Sequence, residues 1–462
     1  MPQNNSNTLF KSLEYFFIDN EDNRNTANPT KQNLSIKTDE LERLFETIAT
    51  EVLRERTPDL HELGQALQER MSIQEYRKLE QSEEQKLENT KENKTSAPIS
   101  GTSIITMLIQ KGYLKDSQKW LTKKGFVTIG RKILKDIMRP LKSSEFGLHE
   151  TVSRGIGSLT LDSTKKYELG NDLRLLNVPM SLLNMVQRNT NRGKKIEFPL
   201  QISVDDLEEY QTSQDVSVSI VYCIDLSSTM RYSTMFGDIS RIEAAKKALW
   251  SLFLLNQKFF PSDSISVIGF GALASKVSPQ DIPYLKTFEP GSDFLHYTNY
   301  QAAFRLAARI LQKEASNNKR IVLITDGHPS ACFIDDKKDQ DNILSQKPYS
   351  HFYSPDGETI ERVRNNHELA LDLESGKVVY LCYRYRQVDG YIADRTIADA
   401  KKYWRKGIQI DTIMISEEDS LLSYVNEMEK AVKGRSYYMN PSTIDRALLN
   451  DYLSNRQMLL KS

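Results

Sequence analysis

From about residue 200 onward, short apolar, β-branched runs alternate with amphipathic stretches, and this alternation restricts the fold more than any other property of the chain. "VSVSIVYCI" (216–224), "DSISVIGFG" (263–271), "KRIVLITD" (319–326) and "IQIDTIMIS" (408–416) read as strands, apolar on both alternating faces for much of their length. Between and after them, 240–260, 299–313, 396–407, 421–432 and 443–453 carry apolar residues three and four apart, the spacing of a helix that buries one side. Strands apolar on both faces need cover on both faces, and βα alternation supplies it with helices. The expected class is therefore α/β: a doubly wound, mostly parallel sheet with helices on both faces, over residues 201–455. "ASKVS" (274–278) reads as an antiparallel edge strand beside the second run. Residues 331–390 break the rhythm, with a polar loop at 335–357 and a strand or hairpin at 377–391, and read as an insertion.

The N-terminal part has a different texture and predicts a mainly helical region. Residues 1–37 are rich in Asn, Asp, Thr and Lys and are expected to form a mobile segment. Residues 38–80 are helical by pattern, with Leu41, Leu44, Phe45, Ile48 and Val52 on one face, a break at Pro58, and a second face from Leu60 to Met71. Residues 81–100 are almost wholly polar and read as a linker. Residues 101–200 read as a helical adaptor region. Within it, Leu121-Thr122-x-x-Gly125 ahead of a helix also occurs in winged-helix folds, although helix packing explains the same apolar spacing. "SRGIGS" (153–158) lacks the Lys-Ser/Thr ending of a phosphate loop, so its glycines read as turn residues.

Composition removes several function classes. Lys+Arg and Asp+Glu both total 62, and this neutrality argues against a nucleic-acid binder, which needs a basic face. Three scattered cysteines and six scattered histidines offer neither a Cys-x-x-Cys pair nor zinc-ligand spacing. The N-terminus lacks the pattern of a signal peptide, and no apolar run approaches the ~20 residues of a membrane span. The expectation is a soluble cytoplasmic protein with no membrane partner.

In an open α/β sheet, ligands bind at the carboxyl ends of the strands. There the chain places Asp225, Ser227 and Thr229 after the first strand, Asp326 after "RIVLIT", and Thr298 where a loop enters the 299–313 helix. Each alone is an ordinary cap or turn residue. Together they form an all-oxygen set with no histidine or thiol, which suits Mg²⁺, or Mn²⁺, better than zinc or copper.

Asp225-x-Ser227-x-Thr229, Thr298 in "YTNYQAAF" and Asp326 in "LITDG" resemble the metal-ion-dependent adhesion site (MIDAS) of von Willebrand factor A domains, a Rossmann-like fold. Thr229 stands where the pattern has a second Ser, and Tyr297 precedes Thr298 where such loops often carry Gly. The resemblance implies that Ser227, Thr229 and Thr298 bind the metal directly while Asp225 and Asp326 act through water. "LTKKGFVTIGRKILKDI", "GLHETVSRGIGS" and "KKYELGNDLRLLNVPMSLLNMVQR" are similar to prokaryotic cytosolic A-domain proteins related to the magnesium-chelatase D subunit. That similarity implies an AAA+ ATPase partner of the MoxR or chelatase-I type.

A Mg²⁺ held by neutral hydroxyls keeps much of its charge and seeks an anionic oxygen. The resulting expectation is a non-catalytic adaptor that docks the Asp or Glu of a client protein, working with an AAA+ ATPase in client remodelling or in metal or cofactor insertion. Two alternatives stand beside it. One is the D-type subunit of a chelatase inserting Mg²⁺ or Co²⁺ into a tetrapyrrole, whose ATPase would come from a partner because this chain has no Walker A sequence. The other is a haloacid-dehalogenase-like phosphatase with Asp225 as nucleophile, which Ser227 disfavours because it stands where that chemistry needs an acid/base.

Overall fold

The computed structural model describes residues 38–70, 102–138, 160–168, 173–193, 200–212, 217–233, 239–290, 294–345, 351–353, 358, 361, 381–383, 390–415 and 419–461. The expected mobile segment 1–37 and linker 81–100 lie outside them.

Four helices open the described chain: α1 (Thr38–Leu53), α2 (Leu60–Arg70), α3 (Thr102–Gln110) and α4 (Lys123–Met138). In α1, Leu44, Ile48 and Val52 recur every fourth residue, and all are fully buried. The turn at Pro58 is pinned from outside, where the buried Trp120 donates its indole N–H to the Pro58 carbonyl at 2.8 Å. The Leu-Thr-x-x-Gly pattern is a helix start: Thr122 caps α4 by accepting from the Gly125 amide at 3.0 Å. Gly125 has no room for a side chain, since a Cβ there would lie 2.1 Å from the Tyr113 carbonyl oxygen.

Helix α4 lies against a long helix of the sheet domain, α6 (Arg241–Phe259), with one unit between them in the chain. That unit corrects the expectation of a helical region over 101–200. Strand β1 (Thr160–Lys166) pairs antiparallel with β2 (Glu208–Thr212), and helix α5 (Val178–Asn191) packs beside them. Hydropathy hid this strand because a charged pair fills its interior: Lys165 meets Glu209 at 3.4 Å, both buried. The contact of α4 with α6 is apolar and close. Phe126 stacks on Trp250 with ring centroids 5.1 Å apart, and a Cβ on Gly130 would fall 2.2 Å from Leu254 Cδ1. Each fully buried side chain of this size contributes roughly 1.5–3 kcal/mol, so a larger residue at Gly130 would open the seam.

The sheet has six strands in the order β11-β10-β6-β3-β4-β5: β3 (Val218–Asp225), β4 (Ser264–Phe270), β5 (Ala274–Val277), β6 (Asn318–Thr325), β10 (Ile408–Met414) and β11 (Ser436–Tyr438). All neighbours are parallel except β4 and β5, which form the expected antiparallel edge. Residues of β3 divide between two cores: Ile220, Tyr222 and Ile224 pack with α4, α6 and α11 (Ile444–Lys461), while Val221 and Cys223 pack with α7 (Tyr300–Leu311), α9 (Gly390–Trp404) and α10 (Asp419–Val432). Cover on both faces is why the whole strand is buried.

The 331–390 stretch contains strands β7 (Ala331–Phe333), β8 (His351–Tyr353) and β9 (Leu381–Tyr383), paired antiparallel with β9 in the middle, and helix α8 (Lys337–Ser345). The polar loop expected at 335–357 thus holds a helix and a strand. Among the described residues no helix is long and apolar enough to cross a membrane.

Candidate functional site

The chain leaves β3 for β4 on one side and later returns as β6 on the other, so the strand order reverses at β3. The carboxyl ends of β3 and β6 therefore flank the crevice where open α/β sheets bind ligands. Asp225 ends β3, and Asp326 directly follows β6.

Asp225 is fully buried. Its Oδ1 accepts from the Ser227 amide at 2.8 Å, and its Oδ2 accepts from the Thr325 hydroxyl at 2.6 Å. Two donors from different strand ends thus set the plane of the carboxylate. The Ser227 hydroxyl lies 3.2 Å from that of Thr229, and Thr229 donates to Asp326 Oδ1 at 2.9 Å. Four of the five predicted residues therefore form one hydrogen-bonded chain across two loops.

Thr298, also buried, is tied to the same rim from the third loop. Its amide donates to the Ser330 hydroxyl at 3.0 Å, and its carbonyl accepts from the Ser330 amide at 2.9 Å and the Ala331 amide at 3.1 Å. Two residues on, Tyr300 donates to the Gly327 carbonyl and lies 3.4 Å from the Thr325 hydroxyl, which links the loop to Asp225. Asn299 caps α7 by accepting from Gln301 and Ala302, so Thr298 itself is not the cap. Tyr297 is packed in the core layer on the α7 side of the sheet.

One site neighbour escaped the sequence reading, and the role of another did. Thr325 reads from the sequence as a hydroxyl at the same rim, but its bond to Asp225 emerges only in the fold. Arg241, the first residue of α6, places Nη1 2.5 Å from Asp326 Oδ2. Its signal was available: a basic residue in the first turn of a helix opposes the macrodipole and calls for a reason.

Burial pushes the Asp225 carboxyl up to about 7, helped by the nearby Asp326 charge and opposed by the Thr325 and Ser227 hydrogen bonds. Burial also raises Asp326, against the pull of Arg241 and Thr229. Two buried carboxylates among hydroxyls, one of them paired with a guanidinium, could suit a hard divalent cation. Among the described residues no group of three or more His, Cys, Asp or Glu side chains is placed to hold a metal ion. For nucleophilic attack the geometry is unhelpful: Asp225 presents no surface, and the Ser227 hydroxyl meets another hydroxyl rather than a base.

Residues 218–370 match the family described as "Rv0959-like protein, vWA domain". The sheet domain has the von Willebrand A-like fold. Across a longer span, the chain is 22% identical over 355 residues to uncharacterized proteins of Mycobacterium tuberculosis and Mycobacterium bovis. The match covers 76% of this chain and 44% of those proteins, so the chain spans less than half their length. Among solved structures it is similar to the PilB minor pilin from Streptococcus sanguinis, at TM-score 0.37 and 17% identity, covering 58% of this chain and 68% of that one. It is also similar to the vWF domain of the pili tip protein Mfa5 from Porphyromonas gingivalis, at TM-score 0.34 and 15% identity, covering 52% and 94%.

Proposed function

We propose that Asp225, Ser227, Thr229, Thr298 and Asp326 hold Mg²⁺ or Mn²⁺, and that the protein is a non-catalytic adaptor docking an Asp or Glu of a client protein on that cation. Asp225 carries this reading. It is a fully buried carboxylate, raised by burial, aimed by Ser227 and Thr325, and in contact with no cationic side chain among the described residues. A lone carboxylate is costly in an apolar interior, and a divalent ion offsets that cost. When bound, the cation supplies a positive charge that neutral hydroxyls leave incompletely compensated, and a client carboxylate completes it. The chain's own residues do the positioning: Ser227 and Thr325 orient Asp225, while Thr229 and Arg241 hold Asp326.

Similarity of the upstream segments to chelatase-D-related proteins supports an AAA+ ATPase of the MoxR or chelatase-I type as second partner, in client remodelling or in metal or cofactor insertion. Large apolar side chains exposed around α5, among them Leu173, Val178 and Leu183, give such a partner a surface to cover.

The test is capture on the immobilised full chain from a native lysate, in Mg²⁺ or in EDTA, with an Asp225→Ala variant alongside and Mn²⁺ binding measured on both. The expected result is Mn²⁺ binding and capture of a client or an AAA+ ATPase, both lost in the variant. Capture indifferent to EDTA and to the substitution would remove the metal from the function. Turnover of a chromogenic phosphomonoester would replace the adaptor reading with the phosphatase one.

A further inference from the structure

We infer that Arg241 is a tethered rival of the metal: its guanidinium neutralises Asp326 while no divalent cation is held, and it must release that carboxylate before the site takes one. The inference rests on the metal-site reading above and adds to it the residue that sets how tightly the site binds.

Position is the first reason. Arg241 opens α6, immediately after the Ser240 cap, where the positive end of the helix dipole repels a cation. Glu243 completes the capping box by accepting from the Ser240 amide at 3.2 Å, so the helix start is already satisfied without Arg241. The side chain is also poorly served locally, because its Nε is buried and has no hydrogen-bond partner among the described residues. What it does reach is Asp326, with Nη1 2.5 Å from Oδ2, and more distantly the Thr229 carbonyl at 3.4 Å. A guanidinium placed against the dipole with one N–H unmatched is explained by its carboxylate partner, not by the helix.

The second reason is the division of Asp326. One oxygen takes the Thr229 hydroxyl and the other takes Arg241. The carboxylate side chain is 1% exposed and that of Arg241 is 20% exposed, so the pair lies beneath the surface where salt screens it little. A divalent ion entering between Asp225 and Asp326 meets a like charge already seated on one of them. The partial exposure of Arg241 gives the guanidinium a route outward. Arg241 therefore lowers the site's affinity for a cation and keeps Asp326 compensated when none is bound.

The experiment titrates Mn²⁺ into the full chain, following free Mn²⁺ by electron paramagnetic resonance, for the wild type and for Arg241→Gln, Arg241→Lys and Asp225→Ala. Thermal unfolding of each is recorded in EDTA and in saturating Mn²⁺. Arg241→Gln removes the charge and is expected to bind Mn²⁺ at least tenfold more tightly, with Arg241→Lys close to wild type. In EDTA, Arg241→Gln should melt below wild type, because Asp326 loses its counter-ion, and saturating Mn²⁺ should erase that difference. A purely structural role for Arg241 would leave the deficit in place with Mn²⁺. Wild-type binding that Asp225→Ala abolishes, with Arg241→Gln no tighter, overturns this inference and leaves the metal site standing. Binding to neither the wild type nor Arg241→Gln overturns the metal site, and this inference with it.

Discussion

Two buried clusters in this domain contain the same charged groups, two aspartates and one arginine, and only one of them is complete. Near the start of β6, Arg320 turns Nε to Asp411 and places Nη1 and Nη2 at 2.6 and 3.0 Å from the two oxygens of Asp451. Tyr437 adds a donor to Asp451 at 3.1 Å, and the Arg435 amide adds one to Asp411 at 2.9 Å. One guanidinium there serves both carboxylates, and against the cost of burial the charges of Asp411 and Asp451 hold it ionised. At the far end of the same strand, Arg241 serves Asp326 alone, and Asp225 is left with a hydroxyl and an amide. The first cluster ties β6, β10 and α11 together. In the second, Asp225 has no cationic partner among the described residues. What separates the two clusters is how the guanidinium is shared, not which residues are present.

The sharpest way to break this contrast is Arg320→Met. It leaves two buried aspartates without their counter-ion and is expected to destabilise by about 3–5 kcal/mol, read by chemical denaturation. Saturating Mn²⁺ should not restore it, and recovery with Mn²⁺ would mean that the two clusters are interchangeable.

The next effect is a pH dependence on the order of 4 kcal/mol from Asp225. Its folded-state pKa is raised above the ordinary carboxylate value to about 7, so the folded protein holds the proton more tightly than the unfolded chain. Its contribution to stability is therefore full at low pH and is lost as pH rises from about 4 through about 7. Melting curves in EDTA should show this decline, Asp225→Asn should flatten it, and the stabilisation by Mn²⁺ should grow across the same window. A slope that Asp225→Asn leaves unchanged would assign the titration to another group.

The smallest effect concerns a pair at the surface. Lys119 meets Asp281 at 2.7 Å across the junction of the helical region and the sheet domain, with both side chains more than a third exposed. Lys119→Ala should cost less than about 0.5 kcal/mol by thermal melting. A larger loss would give exposed pairs at this junction a weight that the comparison reserves for buried ones.

Much of the site was legible because each loop carries its signal locally. An apolar strand that stops at Asp225, followed by Ser227 and Thr229, can be read without knowing where the chain goes next. The same holds for Asp326 behind "RIVLIT" and Thr298 ahead of α7. Arg241 carried only a weak local signal, its place against the helix dipole, and a basic residue on the first turn of an amphipathic helix otherwise reads as a solvated charge. Strand β1 was missed for a related reason. Lys165 and Glu209 are buried against each other, whereas hydropathy assigns such residues to the surface. Residues 331–390 stood out by a break in rhythm, but the three short strands there pair only through contacts distant in sequence, as between Ala331 and Tyr383.

The sequence by itself determined the class of fold and which side chains stand at the rim. Runs apolar on both alternating faces require cover on both sides, and Asp, Ser and Thr at the strand ends supply only oxygen ligands. Tertiary structure decided how the charges are shared. Asp225 and Thr325 are 100 residues apart, Thr229 and Asp326 97, and Arg241 and Asp326 85. Hydropathy and helical periodicity are local along the chain, whereas the Coulomb interaction acts through space and is strongest where water is excluded. Only the folded sheet brings these groups within hydrogen-bonding distance and leaves one aspartate with a guanidinium and the other without.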